Sequence, residues 1–383
     1  MSVSHTWRST ILSFPSLWSV VHLDSEISPQ TVHMLFQRSR GHSLDVTIPQ
    51  LPEHPGPMLK MARYSHMLEA SLHVSRIRKF VYYSESGNDT IRLIRTFYMP
   101  APNLTHLELG RLILQPETIS FPNLFGMEFP KLRVLEVAGI TWPEVVGANL
   151  TTIAINDSLN PWLLKGCIPY SPNLKALKIR CIWDFNGPDL RTWQRITLPP
   201  GIRLSIKYSQ VSPAILALFA LPRDGYIKVT PSVHTFPYAP MLSYILPTDI
   251  SHLQNMGTLT RLHIKAHFNI GLILEVKCFR LDLPVFRGSL RYPFESQMAS
   301  FRERAPLAMW LLDNLDQIVL KGVEELRIEG FAGSLEPHAA ELLALLGRLP
   351  ALTRLVTTDD NEELLRCTLN KLGCRAVVVR AGR

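Results

Sequence analysis

One arrangement of apolar and polar positions recurs along the chain: an apolar residue, two others, a second apolar residue, one other, then a third. It occurs in PNLTHLEL (102–109), PKLRVLEV (130–137), NLTTIAI (149–155), PNLKALKI (172–179), TLTRLHI (258–264) and VEELRI (323–328). Ile77, Phe80 and Tyr82 fit the same template, as do Val276, Phe279 and Leu281, and Trp18, Val21 and Leu23 near the start. The closing alternation has a period of two, so each core predicts a short strand with one buried face. Between these strands, TIRLIRTFYM (90–99), PWLLKG (161–166) and EPHAAELLALLGRLP (336–350) have the period of a helix. In the last, Leu342, Leu343, Leu346 and Leu349 form an apolar face and Pro350 marks the stop.

Steps between units are mostly 18–29 residues, as from Ile77 to Leu104 and on to Leu132, Leu150 and Leu174. That spacing and the L-x-x-L-x-L core match leucine-rich repeats. A strand, a connection and another strand, repeated, predict parallel pairing. The expected fold is therefore α/β: a leucine-rich-repeat-like solenoid over residues 19–383, a horseshoe with a parallel sheet on its concave face and helices on its convex face. A doubly wound sheet is the alternative, but its strands would be near-continuous apolar runs. The usual Asn or Cys after the last strand position is replaced by Leu112, Ile140, Ser158, Ile182, His267 and Phe331, so no side-chain ladder is expected there. Residues 208–257 read as irregular repeats with a long loop, and 284–314 as a mobile insertion. Asn103 and Asn149 fall at turns leading into strands, which explains two of the four glycosylation-like sequons; Asn88 and Asn156 head the others.

The composition is 46% hydrophobic and 19% charged, which suits a globular chain. No apolar run approaches a bilayer span and no secretory leader is apparent, so an intracellular protein, cytoplasmic or nuclear, is expected. Cys167, Cys181, Cys278, Cys367 and Cys374 are scattered, suggesting neither a zinc site nor a disulfide framework. The chain has no phosphate-binding glycine loop, HExxH or GxSxG motif. Asp359, Asp360, Glu362 and Glu363 read as a terminal turn or helix start rather than a metal site. No enzymatic activity, cofactor or metal is expected.

The opening VSHTWRSTILSFPSLWS resembles the C-terminal half of an F-box, as carried by many fungal F-box proteins with leucine-rich-like repeats. Val3, Ser4, Trp7, Arg8, Ile11, Leu12, Pro15, Ser16, Leu17 and Trp18 match, and LFQRSRGHSLDVTI (35–48) resembles the segment that follows in those proteins. A complete F-box has helices upstream of this stretch, so residues 1–18 read as its C-terminal remnant. Val3, Trp7 and Ile11 share one helix face, and both tryptophans are expected to be buried at the junction with the first strand. The resemblance implies a substrate-recognition subunit of an SCF-type ubiquitin ligase. Val3, Trp7, Arg8 and Ile11 would meet the ligase adaptor, and the repeats would bind a target protein. A repeat scaffold without ligase recruitment is the other reading.

In such a horseshoe the intervening strand positions face the open floor. They include Lys79, Tyr83, His106, Glu108 and Glu136 early, and Glu325, Arg327, Glu329 and Arg354 late. In the middle stand Lys178, Arg180, Arg203, Lys207, Arg261, His263, Lys265 and Arg280, a basic series within a chain of net charge +8. Such a floor suits an acidic or phosphorylated target. Nucleic acid lacks the aromatic platform it would need, and charges alternating on a sheet also serve simply to keep it unpaired.

Overall fold

The computed structural model describes residues 4–52, 55–84, 87–110, 129–138, 149–157, 164, 168–181, 194–207, 212–230, 246–247, 249–257, 259–268, 271–293, 320–330, 339–357 and 362–380. The chain divides into two compact units, Met1–Leu174 and Lys175–Arg383. The fold is α/β; among the described residues fifteen strands lie in mostly parallel sheet, six in the first unit and nine in the second, and two more in the second unit pair with each other.

In the first unit β1 (Val20–His22), β2 (Leu44–Ile48), β3 (Ile77–Tyr83), β4 (His106–Gly110), β5 (Val134–Ala138) and β6 (Thr152–Asp157) follow chain order, each parallel to the next. Their registers align Val21, Val46, Phe80, Leu107, Leu135 and Ile153 in one buried row. Leu23, Ile48, Tyr82, Leu109, Val137 and Ile155 are the buried residues two positions on. Each large apolar side chain removed from water contributes about 1.5–3 kcal/mol, so these rows are a substantial part of the driving force.

Helix α1 (His5–Ser13) is capped by Ser4 and followed by a 3₁₀ turn, Pro15–Trp18. Helices α2 (Pro29–Arg38), α3 (Pro57–Ser71) and α4 (Gly87–Thr96) lie between the strands in sequence, and α3 packs on α2, α4 and β2. Its inward face includes Arg63, which is 3% exposed. That guanidinium donates to the Pro49 and Tyr83 carbonyls, lies 4.7 Å over the Tyr82 ring and stands 3.9 Å from Asp89.

The turns leading into strands carry a side-chain ladder of their own. Thr105 and Thr151 Oγ1 donate to the Arg78 and Arg133 carbonyls at the preceding strand, and Thr353 Oγ1 donates to the Glu324 carbonyl. Asn103 Nδ2 donates to Ser75 at 2.8 Å and Asn149 Nδ2 to Pro130 at 2.6 Å, which places both asparagines at these turns as expected. The positions expected to lack a ladder lie outside the described residues, except His267, which lies in a strand.

The second unit contains β7 (Ala176–Cys181), β8 (Ile196–Thr197), β9 (Arg203–Lys207), β10 (Phe219–Ala220), β11 (Tyr226–Thr230), β12 (Arg261–Phe268), β13 (Gly271–Arg280), β14 (Leu283–Pro293), β15 (Glu325–Glu329), β16 (Arg354–Thr357) and β17 (Val377–Arg380). Nine are ordered β7-β9-β11-β14-β13-β12-β15-β16-β17, and among the described residues β8 pairs with β10 alone. Leu177, Leu204, Ile227, Phe286, Cys278, Leu262, Leu326 and Leu355 form the buried row.

Here the structure corrects the expectation of uniformly parallel pairing: β12–β13 and β13–β14 are antiparallel. Two-residue connections leave no length for a crossover, so the chain must reverse. At the second turn Leu281 and Asp282 have φ of 46° and 70°, the left-handed values that a two-residue hairpin requires. Leu283–Pro293 is thus a strand and not part of an insertion; 294–314 lies outside the described residues. The frame assigned to VKCFRL is also corrected. Val276 and Cys278 are buried, Phe279 is half-buried, and Leu281 is 77% exposed in the turn. A one-residue change of frame moves every side chain to the other face.

Of the predicted helices, 90–99 coincides largely with α4, and the last forms Ala339–Gly347 with Leu345, Leu346 and Leu349 buried. Leu164 is the one described residue of PWLLKG and is buried. Among the described residues, no helix is long and apolar enough to cross a membrane.

Candidate protein-interaction surface

Alternation along each strand turns the residues between the buried rows toward the opposite face, which is partly exposed. In the first unit this face brings together Lys79, His106, Glu108, Glu136 and Tyr83. The Tyr83 hydroxyl donates to Glu108, and His106 Nε2 lies 3.8 Å from the same carboxylate. Interaction with His106 holds the Glu108 carboxyl below its ordinary range, the Tyr83 bond adding to it against burial. Burial and the Glu108 charge push the Tyr83 phenol up to about 12.

In the second unit, outward side chains of β7, β9 and β11 gather Lys178, Arg180, Arg203, Lys207 and Lys228. Lys178 is level with Ser205, Arg180 with Lys207, Ser205 with Lys228, and Lys207 with Thr230. Among the described residues none of these five cations has an ion pair. Arg180 and Arg203 are exposed, and the three lysines are half-buried.

The neighbouring antiparallel strands are different. Glu275, 5% exposed on β13, accepts from Lys277 Nζ at 2.9 Å and from Arg287. Glu329, 5% exposed on β15, accepts from Arg327 and lies 3.2 Å from Lys265 Nζ and 3.4 Å from His263 Nε2. Burial alone would raise both carboxyls, but these cations outweigh it and hold them below the ordinary value. Burial lowers His263 from its ordinary value, although Glu329 pulls the other way. Arg261 pairs with Asp282 and stacks 5.4 Å over Phe279, and Arg354 lies 3.2 Å from Glu325.

Of the eight basic residues expected on the floor, the structure brings Lys178, Arg180, Arg203 and Lys207 together unpaired. Arg261, His263 and Lys265 share β12 but are matched by carboxylates of the chain itself. Arg280 closes β13 one residue past Phe279, and alternation turns it to the face of Cys278, away from the floor. Lys228, Lys277 and Arg287 complete the face and escaped the sequence reading. Lys228 alternates in YIKVT, within a segment that matched the repeat poorly; the frame given to VKCFRL hid Lys277, and Arg287 fell in the stretch read as an insertion.

At the N-terminus, Trp7 is 65% exposed and Arg8 is exposed, while Ile11 is half-buried; Val3 lies outside the described residues. The expected burial of both tryptophans is corrected: only Trp18 is partly covered. Its Nε1 donates to the Ile11 carbonyl at 3.2 Å, and Arg38 lies 4.8 Å over the ring. One turn of chain after α1 satisfies Trp18, whereas Trp7 stays mostly exposed among the described residues. Among the described residues, no group of three or more His, Cys, Asp or Glu could hold a metal. Glu362 and Glu363 open a helix, where Glu362 pairs with Arg366 at 2.6 Å; Asp359 and Asp360 lie outside the described residues. No protein family and no curated protein matches the chain.

Proposed function

We propose that this protein is a non-enzymatic substrate-recognition subunit of an SCF-type ubiquitin ligase, as the F-box-like opening implies. The N-terminal helix meets the ligase adaptor, the outward face of the strands takes the target, and the chain carries out no reaction itself. In this reading the aligned strands are a leucine-rich-repeat-like horseshoe, with the sheet concave and the helices outside, working in the cytoplasm or nucleus. The observation that carries it is the apolar surface along residues 7–20. Trp7, Phe14, Leu17 and Val20 are 65%, 53%, 61% and 59% exposed. Several large apolar side chains left in water along one short stretch suit a surface that meets another protein. Co-purification of the full chain with the cullin-ligase adaptor tests it. The intact protein is expected to retain the adaptor, and Trp7→Ala with Leu17→Ala to lose it without unfolding. No retention by the intact chain overturns the ligase role and leaves the repeat scaffold.

A further inference from the structure

We propose that the outward face of β7, β9 and β11 is the docking site for an acidic peptide segment of the target. The segment lies extended along the strands, with glutamate or aspartate at every second residue. The inference rests on reading this sheet face as a recognition surface and not on the adaptor contact.

The argument is a comparison within one unit. Like charges directly across neighbouring strands are unfavourable, and the described residues of this unit contain three such pairs, Lys277–Arg287, Lys228–Arg287 and Arg180–Lys207. Lys277 stands opposite Arg287, and there the chain supplies its own anion: Glu275 is buried between them and takes bonds from both. Arg180 stands opposite Lys207, with Lys178 and Lys228 on the same face and Arg203 at its edge. No described carboxylate lies among these five. The outward positions that could have carried one hold Ala176, Ser205, Tyr226 and Thr230 instead. The same floor that seats a carboxylate between cations at Glu275 therefore leaves an equivalent place vacant for one brought by a partner.

Dimensions agree with an extended peptide. Adjacent strands are about 4.8 Å apart, and same-face residues along a strand about 6.6 Å apart. The cations thus form three levels whose spacing equals that between alternate side chains of an extended ligand. Arginine and lysine on such levels make charge-assisted bonds to carboxylates. Tyr226 is the lone aromatic residue among the outward positions of these strands, so there is no series of rings on which nucleic-acid bases would stack.

The test uses the full chain and a fluorescein-labelled (Gly-Glu)₆ peptide, read by fluorescence anisotropy at low salt. Binding is expected, weakened tenfold or more by Lys178→Glu with Lys207→Glu. It should change less than twofold in Lys60→Glu with Lys371→Glu, which alters net charge equally at exposed sites elsewhere. Lys178→Ala with Lys207→Ala should give an intermediate loss, and circular dichroism should show every variant folded. Absence of binding, equal loss in the matched control, or binding only when phosphoserine replaces glutamate would each overturn the proposal. So would tighter binding of a twelve-residue oligothymidylate abolished by the same reversals. Peptide binding without adaptor retention sinks the ligase reading alone; adaptor retention without peptide binding sinks this one alone.

Discussion

Leu135→Ala, compared with Glu136→Ala, tests the facing scheme on which the interaction surface depends. The two residues are adjacent on β5, yet Leu135 is 0% exposed, between Leu107 and Ile153 in the buried row. Glu136 is half-buried on the other face, beside Glu108. Leucine to alanine removes three carbons, a transfer loss of about 2.4 kcal/mol at about 0.8 per methylene. Strands on both sides resist collapse, so a residual cavity of roughly 50–75 Å³ adds about 1–2 kcal/mol at ~24 cal/mol per Å³. The expected cost is about 3–4 kcal/mol. Glu136→Ala removes a carboxylate opposite another, so a change within about 0.5 kcal/mol is expected. Urea unfolding followed by circular dichroism measures both, with the slope required to stay constant so that the midpoint reports stability. Costs within 0.5 kcal/mol of each other would refute the assignment of faces.

Two further tests concern a close contact and protonation. A Cβ on Gly110 would overlap the Tyr83 ring, turning it away from Glu108, whereas Gly41 has nothing within 4 Å. Gly110→Ala should cost about 1–3 kcal/mol by overpacking and Gly41→Ala less than about 0.5; equal effects in thermal unfolding would count against the packing. Burial lowers the pKa of His66, His252 and His263 from 6.5. The unfolded chain therefore takes up protons first as pH falls below 6.5, and stability declines until the folded histidines also protonate, by at most about 1.4 kcal/mol per pH unit for each. Below about pH 4.5, loss of the paired Glu275 and Glu329 carboxylates should deepen the decline. A melting temperature unchanged between pH 7 and pH 5 would contradict it.

The repeat was legible because burial on one face leaves a period-two signal in local sequence. Leu107, Leu135, Leu177 and Leu326 all fall where the template put them. The hairpin between β13 and β14 was not legible, because the turn at Leu281 and Asp282 lacks the glycine or asparagine that announces such a reversal, and strand direction leaves no mark on alternation. Arg63 was invisible for a related reason. Its partners are carbonyls on β3 and on the chain just after β2, and a carbonyl looks alike at every residue. Of the basic series, Lys178, Arg180, Arg203 and Lys207 lie together on one face, but sequence could not tell a paired cation from an unpaired one.

The amino-acid sequence by itself determined the strands, most of their buried residues and the excess of positive charge, since each depends on neighbours a few positions away. Tertiary structure alone decided direction, frame and charge pairing, because these depend on which distant strand lies alongside. The packing of strands gives Lys277 and Arg287 a carboxylate and, among the described residues, leaves Arg180 and Lys207 without one.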